Sequence, residues 1–332
     1  MTSLASPRQS FDIGRLARAV APSLPLIVFL AMFVYLGIAS PSFLEPSTFA
    51  LILKQSIPTT IVSLGLATVV MAGGDDVVSG GIDLSIPAAA VLAAAVVADL
   101  VTNHAWFIGP ALLIGLLTAV ACGLVNAFLV VLVGMTPLLA TFASATAFVG
   151  IGKVVTASRR INVTDPLVVW LRDGVIAGVP VGVIAACVIS AVFYFVLHRT
   201  RWGLNLQAVG GNRDAAEISG LSPAKFIATA FVIAGLAAGI GSIFVLARGS
   251  GWAPGTEENM MMEMVLATFL GAAFSPRRIV TLWGAVLGAV LVSALSVGFG
   301  SVGIDIFWTG CIKGGLILVV VASSALSRKV NI

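Results

Sequence analysis

Charge is scarce in this chain. Only 10% of its 332 residues are Asp, Glu, Lys or Arg, against about 25% in soluble domains. Hydrophobic residues make up 59%, and mean hydropathy is +1.11. No water-soluble fold of this size could hide so much apolar surface. The apolar runs are continuous and do not alternate, which excludes a membrane β-barrel. The net charge of +4 marks no nucleic-acid partner, because the basic residues sit scattered at the ends of apolar runs, where they set topology. There are only two histidines, His104 and His198, both near span ends, and three cysteines, Cys122, Cys187 and Cys311, all inside apolar runs. These cysteines read as small packing residues, neither a disulfide framework nor a metal site. No Ser/His/Asp or Cys/His set is present. Asp75 and Asp76 have no His or Cys nearby, so no metal is expected there. There is no GxxxxGK[ST] loop to cradle phosphates, so the chain is not expected to bind ATP itself. Catalytic residues, cofactors and metals are all expected to be absent.

What is present is a series of runs long enough to cross a bilayer. The expected fold is all-α and polytopic, with about ten spans near residues 19–44, 50–72, 84–102, 107–133, 137–155, 174–197, 225–247, 260–275, 279–299 and 305–326. The 53 uncharged residues from Leu100 to Gly152 divide at Thr102-Asn103-His104 and at Gly134-Met135-Thr136-Pro137, where polar and Pro/Gly clusters punctuate. The first run is too long for a signal peptide and lacks a convincing cleavage site. The organisation is then a cytoplasmic tail 1–19, a membrane domain 20–327 that includes a polar loop 198–225, and a cytoplasmic tail 328–332.

An even number of spans places both termini on one side. Loops and tails on that side hold eleven Lys and Arg residues, and those on the other side hold five, so the termini are read as cytoplasmic. The segment 153–173 is the largest outside loop, either merely solvated or in contact with an extracellular partner. If the spans divide into two fives, the third and eighth correspond. Both are short, the third opening at Gly80-Gly81-Ile82-Asp83-Leu84-Ser85 and the eighth ending at Ser275-Pro276. Paired short or Gly/Pro-interrupted spans point to a transport route. Gly80, Gly81, Asp83, Ser85, Gly271 and Ser275 are therefore expected to approach a translocation pathway.

The stretch Gly211-Asn212-Arg213-Asp214-Ala215-Ala216-Glu217-Ile218-Ser219-Gly220 is a polar island between two charge-free runs. Asn212 suits an N-cap, and Asp214 and Glu217 fall in early turns where the helix dipole favours acids. Gly220 fits the C′ position, and Pro223 stops continuation. The pattern predicts a helix over 213–219, too short to be stable alone. It is either an ordinary connector or a surface that docks on a partner.

Asp214-Ala215-Ala216-x-x-x-Gly220 resembles the Glu-Ala-Ala-x-x-x-Gly coupling loop of ATP-binding-cassette importer permeases, with Asp for Glu. Gly80-Gly81-Ile82-Asp83-Leu84-Ser85 resembles the motif of the ribose/xylose/arabinose branch of those permeases, within the branched-chain amino acid/ribose superfamily. Ala208-Val209-Gly210-Gly211-Asn212 is similar to that branch as well. The three motifs, their order and the span count cover nearly the whole chain. The resemblance implies a permease subunit of the bacterial inner membrane that passes a monosaccharide or polyol. It implies as partners a separate ATPase subunit coupled through Asn212, Asp214, Ala215, Ala216, Glu217 and Gly220, a second permease subunit (identical or paralogous), and a periplasmic or lipid-anchored solute-binding protein. Membrane lipid is the surrounding medium, and no nucleic acid is involved. The chain departs from the branch in three places. Ile86-Pro87 stands where Val-Gly is usual, Gly73-Gly74-Asp75-Asp76 is an added acidic stretch, and Leu270 to Arg278 has largely lost a glycine-rich run.

On its own chemistry Asp83 either caps the following helix or lines a polar path. Lys54 lies close enough to a helix end to snorkel. Lys313, eight residues after Asp305, is expected to be structural. An ion- or proton-driven carrier is the alternative function. It needs intramembrane carboxylates, and only Asp83 and Asp305, both near span ends, are expected to be available. A membrane-embedded enzyme is a third class, disfavoured by the missing catalytic set.

Overall fold

The structure is a computed structural model that describes residues 24–74, 81–275 and 279–328. It is helical throughout, with four two-residue strands in the connections. In chain order the elements are α1 (Leu24–Ala39), α2 (Pro46–Gly73), α3 (Ile86–Thr102), α4 (Ile108–Ala127, continued by a π-turn to Leu132), α5 (Pro137–Val155), β1 (Ile161–Asn162), α6 (Pro166–Asp173), β2 (Val175–Ile176), β3 (Val179–Pro180), α7 (Val181–Arg199), α8 (Arg201–Gly211), α9 (Arg213–Ile218), α10 (Pro223–Gly249), β4 (Gly251–Trp252), α11 (Thr256–Ala273), α12 (Leu282–Val302) and α13 (Ile306–Arg328). Leaving out the short helices α6, α8 and α9, ten helices match the ten expected spans. Six of the ten are long and apolar enough to cross a membrane by themselves. The apolar segments in α1, α3 and α13 are shorter, and α11 carries Glu257, Glu258 and Glu263.

Several boundaries were visible as punctuation. Asn103 ends α3, and Gly134, at φ 81°, separates α4 from Pro137, the first residue of α5. The sixth span is shorter than expected. Residues 174–180 are not helix, because Ala177 and Gly178 take positive φ and turn β2 back onto β3. The outside loop also holds more structure than a solvated connector. Asp165 caps α6, its carboxylate accepting from the Leu167 N–H at 2.9 Å. β1 pairs antiparallel with β4, tying residues 161–162 to 251–252.

Small residues let the helices approach. Gly123 on α4 faces Gly235 on α10, Gly65 on α2 faces Ala234 and Ala237, and Gly271 on α11 packs directly on Gly284 of α12. This is how membrane helices associate where lipid offers no hydrophobic drive. α2 and α10 form the buried centre and run antiparallel: Gly65 meets Ala237, and Gln55 meets Arg248. One apolar core joins α2, α3, α4 and α10, and a second joins α1, α11, α12 and α13. Packing follows a two-fold pattern. α3 packs on α4 and α5 as α11 packs on α12 and α13, and α4 packs on α10 as α12 packs on α2. The third and eighth spans, α3 and α11, therefore occupy matching places in two halves of opposite direction, the arrangement of an inverted repeat.

Candidate functional site

Two regions hold the polar chemistry of the bundle, one at each end. The first is built on α8 and α9. Thr200 caps α8 by accepting from the Gly203 N–H. Asn212 caps α9, its side-chain oxygen accepting from the Ala215 N–H at 3.0 Å. Gly220 has φ 83°; its N–H donates to the Glu217 carbonyl, and the Leu221 N–H donates to the Ala216 carbonyl. That pair of bonds is a Schellman motif, with Gly220 at C′ as the sequence predicts. Along α9 only Ala216 is buried; Arg213, Asp214, Ala215 and Glu217 face outward, and Ile218 is 88% exposed. The preceding helix α8 was not foreseen as a separate element. Its signal was the spacing of Gly203, Leu206 and Val209, the residues it buries. Gly210 explains the neighbouring motif: a Cβ there would collide with the Met71 carbonyl at the end of α2, so only glycine lets α8 seat against it.

The same end of α2 receives Gly81, where a Cβ would collide with the Val69 carbonyl. Asp83 follows, 1% exposed. Its carboxylate accepts from the Ser85 N–H at 2.8 Å and the Ser85 hydroxyl at 2.7 Å. Asn126 of α4 donates to Ser85 Oγ at 2.6 Å and accepts from Ser144 of α5 at 2.6 Å. Asp83 thus closes the entry turn of α3 and locks α3, α4 and α5 together through buried polar bonds. Gly80 lies outside the described residues, as do Asp75, Asp76 and Pro276 to Arg278. Gly271 and Ser275 belong to the last turn of α11 and the residues just after it, and Gly271 is spent on the contact with Gly284. None of Gly81, Asp83, Ser85, Gly271 and Ser275 borders the cavity lined by Thr48, Gln55, Arg248 and Glu263 near the opposite end of α2.

The second region is at the opposite end, where α2 begins and α10 ends. The expectation that Asp83 and Asp305 would be the only intramembrane carboxylates is corrected here. Glu263 lies in α11 and is buried. It escaped notice because a single acid within Met260 to Phe274 barely interrupts an otherwise apolar run. Lys313 Nζ donates to Glu263 Oε1 at 2.8 Å, and Arg248 Nη1 stands 3.5 Å from Oε2. The hydroxyl of Thr59 on α2 donates to Oε2 at 2.9 Å, and that of Ser296 on α12 approaches Oε1 at 3.4 Å. One carboxylate therefore ties α2, α10, α11, α12 and α13. This gives Lys313 the structural partner expected of a buried cation. Beside it opens a cavity of about 530 Å³ whose wall includes Thr48, Gln55, Arg248, Ser293, Ser296 and Ser301.

Outside the spans, Arg172 pairs with Asp173 at 2.7 Å and donates to the Ser250 hydroxyl at 2.6 Å. The hydrogen bond from Arg172 holds the Asp173 carboxyl below the usual carboxylate range. Of the cysteines, Cys122 is buried, Cys187 and Cys311 are exposed, and all three are free.

Residues 48–321 match the family model described as the permease component of a branched-chain amino acid transport system. The chain belongs to this permease family. The ribose import permease of Bacillus subtilis (strain 168) is 26% identical over 90% of this chain and 90% of its own length. The L-arabinose ABC transporter permease of Azospirillum brasilense is 26% identical over 89% and 85%. The D-allose transport system permease protein of Escherichia coli (strain K12) is 25% identical over 98% of both chains. No solved structure matches. The chain is thus a polytopic permease of the ATP-binding-cassette class.

Proposed function

We propose that this permease imports a small polar solute, a monosaccharide or polyol, across a bacterial inner membrane, with both termini cytoplasmic. ATP hydrolysis takes place on a separate ATPase subunit docked on α8 and α9. The observation that carries the reading is α9 itself: two turns capped at both ends, with Ile218 bare on its surface. So short a helix is not stable alone, and an exposed isoleucine beside charged neighbours suits a partner's groove. Asn212, Asp214, Ala215, Glu217 and Gly220 form that docking surface, and Ala216, buried beneath it, seats the helix on the bundle. A periplasmic or lipid-anchored binding protein delivers the solute at the end that carries α6, and a second permease subunit, identical or paralogous, completes the complex. Gly81, Asp83, Ser85, Gly271 and Ser275 are assigned to the cytoplasmic side of the route; Gly80 lies outside the described residues.

Glu263 supplies an argument for a proton-driven carrier, a buried intramembrane carboxylate. Its pairing with Lys313 and Arg248 speaks for a fixed charge over a proton relay. Both readings meet in one experiment. The chain is reconstituted in vesicles alone, under proton or sodium gradients, and again with its ATPase and binding protein and ATP. Uptake of labelled pentoses and hexoses is expected only in the second case; gradient-driven uptake by the chain alone overturns the importer reading.

A further inference from the structure

We propose that a small basic cavity between α2, α6 and α10 binds a phosphate-type anion through Lys54 and Arg248, and that the anion is the phosphodiester of a membrane lipid. The site does not depend on what the permease carries.

Charge is out of balance at this end of the bundle. Glu263 faces two cations, Lys313 at 2.8 Å and Arg248 at 3.5 Å. Asp173 likewise answers to two. Arg172 pairs with it at 2.7 Å, and Lys54 acts on it only through space. Four cations thus share two carboxylates. The tighter partners, Lys313 and Arg172, account for the two negative charges, which leaves Arg248 and Lys54 in excess. Both line one cavity of about 220 Å³, together with Gln55, whose amide is a further donor. Lys54 is half-buried and makes no hydrogen bond or ion pair among the described residues. A lone cation at a membrane surface can simply snorkel. Two uncompensated cations converging on one partly buried cavity are costly without an anion between them. An ammonium beside a guanidinium is a donor set suited to phosphate.

The remaining walls favour a lipid over a free ion. Leu51, Ile57, Leu171 and Phe244 make them apolar. The volume is below the about 300–1,000 Å³ of a pocket that encloses a small ligand, so it suits one end of a larger molecule whose remainder lies outside. Leu51 is 45% exposed, which opens the cavity beside an apolar outer surface where an acyl chain can lie. The level is right as well. α2 has 28 residues, about 42 Å, which matches the about 40–45 Å of a bilayer with its headgroups. Lys54 stands about 12 Å in from Pro46, at the start of α2, close enough for its side chain to reach the phosphate layer. Trp170, beside Leu171 on α6, is half exposed, as residues of the headgroup layer are.

The test is native mass spectrometry of the full chain, stripped of lipid in detergent and titrated with one lipid at a time. The probes are phosphatidylglycerol and a diacylglycerol with the same chains. One phosphatidylglycerol is expected to bind about ten-fold or more tightly than diacylglycerol, and Lys54→Gln should remove most of that difference. Lys54→Arg should keep it, and Lys153→Gln, an exposed cation elsewhere on the surface, should not change it. Equal retention of the two lipids by the parent protein overturns the proposal, and that comparison needs no variant to fold. So does a preference that survives Lys54→Gln intact. A third arm adds inorganic phosphate at millimolar concentration. It is expected to leave the lipid bound, because the chains supply contacts that the ion lacks. Displacement by phosphate makes the ligand a soluble anion and overturns the lipid assignment.

Discussion

Removing the positive charge of Lys313 that faces Glu263 should destabilise the bundle measurably. In Lys313→Met the carboxylate loses a 2.8 Å partner in a site where the two side chains are 4% and 11% exposed. Breaking a buried pair by deleting one member costs about 3–5 kcal/mol, because the other charge is left uncompensated. Arg248 remains at 3.5 Å, and Thr59 still donates to the carboxylate, which brings the expected cost down to about 2–3 kcal/mol. Arg248→Met should cost less, about 1 kcal/mol, because that contact is longer and the guanidinium reaches the cavity. The triple change Lys313→Met/Arg248→Met/Glu263→Gln removes all three charges of the cluster while leaving an amide oxygen for Thr59. It should recover more than half of the Lys313→Met loss. The measurement is unfolding in mixed micelles titrated with SDS, followed by tryptophan fluorescence, with variants compared at one micelle composition. The reasoning fails if Lys313→Met lies within about 0.5 kcal/mol of the parent, or if the triple variant is no more stable than the single one.

Gly220→Val places a β-branched residue at φ 83°, a local cost of about 1–2 kcal/mol. The expected outcome is ATP hydrolysis that continues while sugar uptake falls; normal uptake in an assembled complex refutes the docking geometry. Ile218→Asp should lower co-purification of the ATPase by about ten-fold or more, because a bare apolar anchor becomes a charge; unchanged recovery removes Ile218 from the interface. Gly210→Val should abolish assembly, since its side chain has no room beside the Met71 carbonyl, whereas Gly211→Ala, with open space around the added methyl, should not. The Asp173 carboxyl is depressed by Arg172, so the stabilisation from that exposed pair is present above the ordinary carboxylate pKa. It is lost as pH falls through the lowered value. Amide exchange in 172–180 should therefore quicken only in acid, and should become independent of pH in Asp173→Asn after correction for intrinsic exchange.

Long apolar runs and their punctuation were readable because the bilayer fixes helix length and side-chain class. The Asn212 cap and the Gly220 end were readable because caps are local chemistry. Long-range pairing was not. Glu263 has no local feature that marks it, and its meaning comes from Lys313, 50 positions away, and Thr59, 204 away. Asp83 was legible as a helix-entry residue, whereas its link through Ser85 and Asn126 to Ser144 depends on how α4 and α5 pack. The β2–β3 turn was missed for a different reason: Val175, Ile176 and Val179 are apolar enough to extend the run into α7, and Ala177 at φ 50° gives no compositional warning.

The two polar ends of the bundle share one rod. α2 carries Gln55 and Thr59 at the cavity and Val69 and Met71 at the other end, where Gly81 and Gly210 close onto their carbonyls. Gly210 sits two residues before Asn212, the cap of α9, with no flexible linker between them. A displacement of α9 would therefore be passed to the end of α2 by rigid contact, since a packed backbone-to-backbone seat does not absorb motion as a long side chain would. Pro58 removes one hydrogen bond from the α2 ladder, at the level of the cavity wall and next to the residue that holds Glu263. Bending at that level would change the distance from Thr59 to Glu263 while leaving the Gly210 seat intact. On this reasoning a movement of α9 would act on the ion-pair cluster through α2. Asp83, bound into α3, α4 and α5, belongs to the frame against which α2 would move.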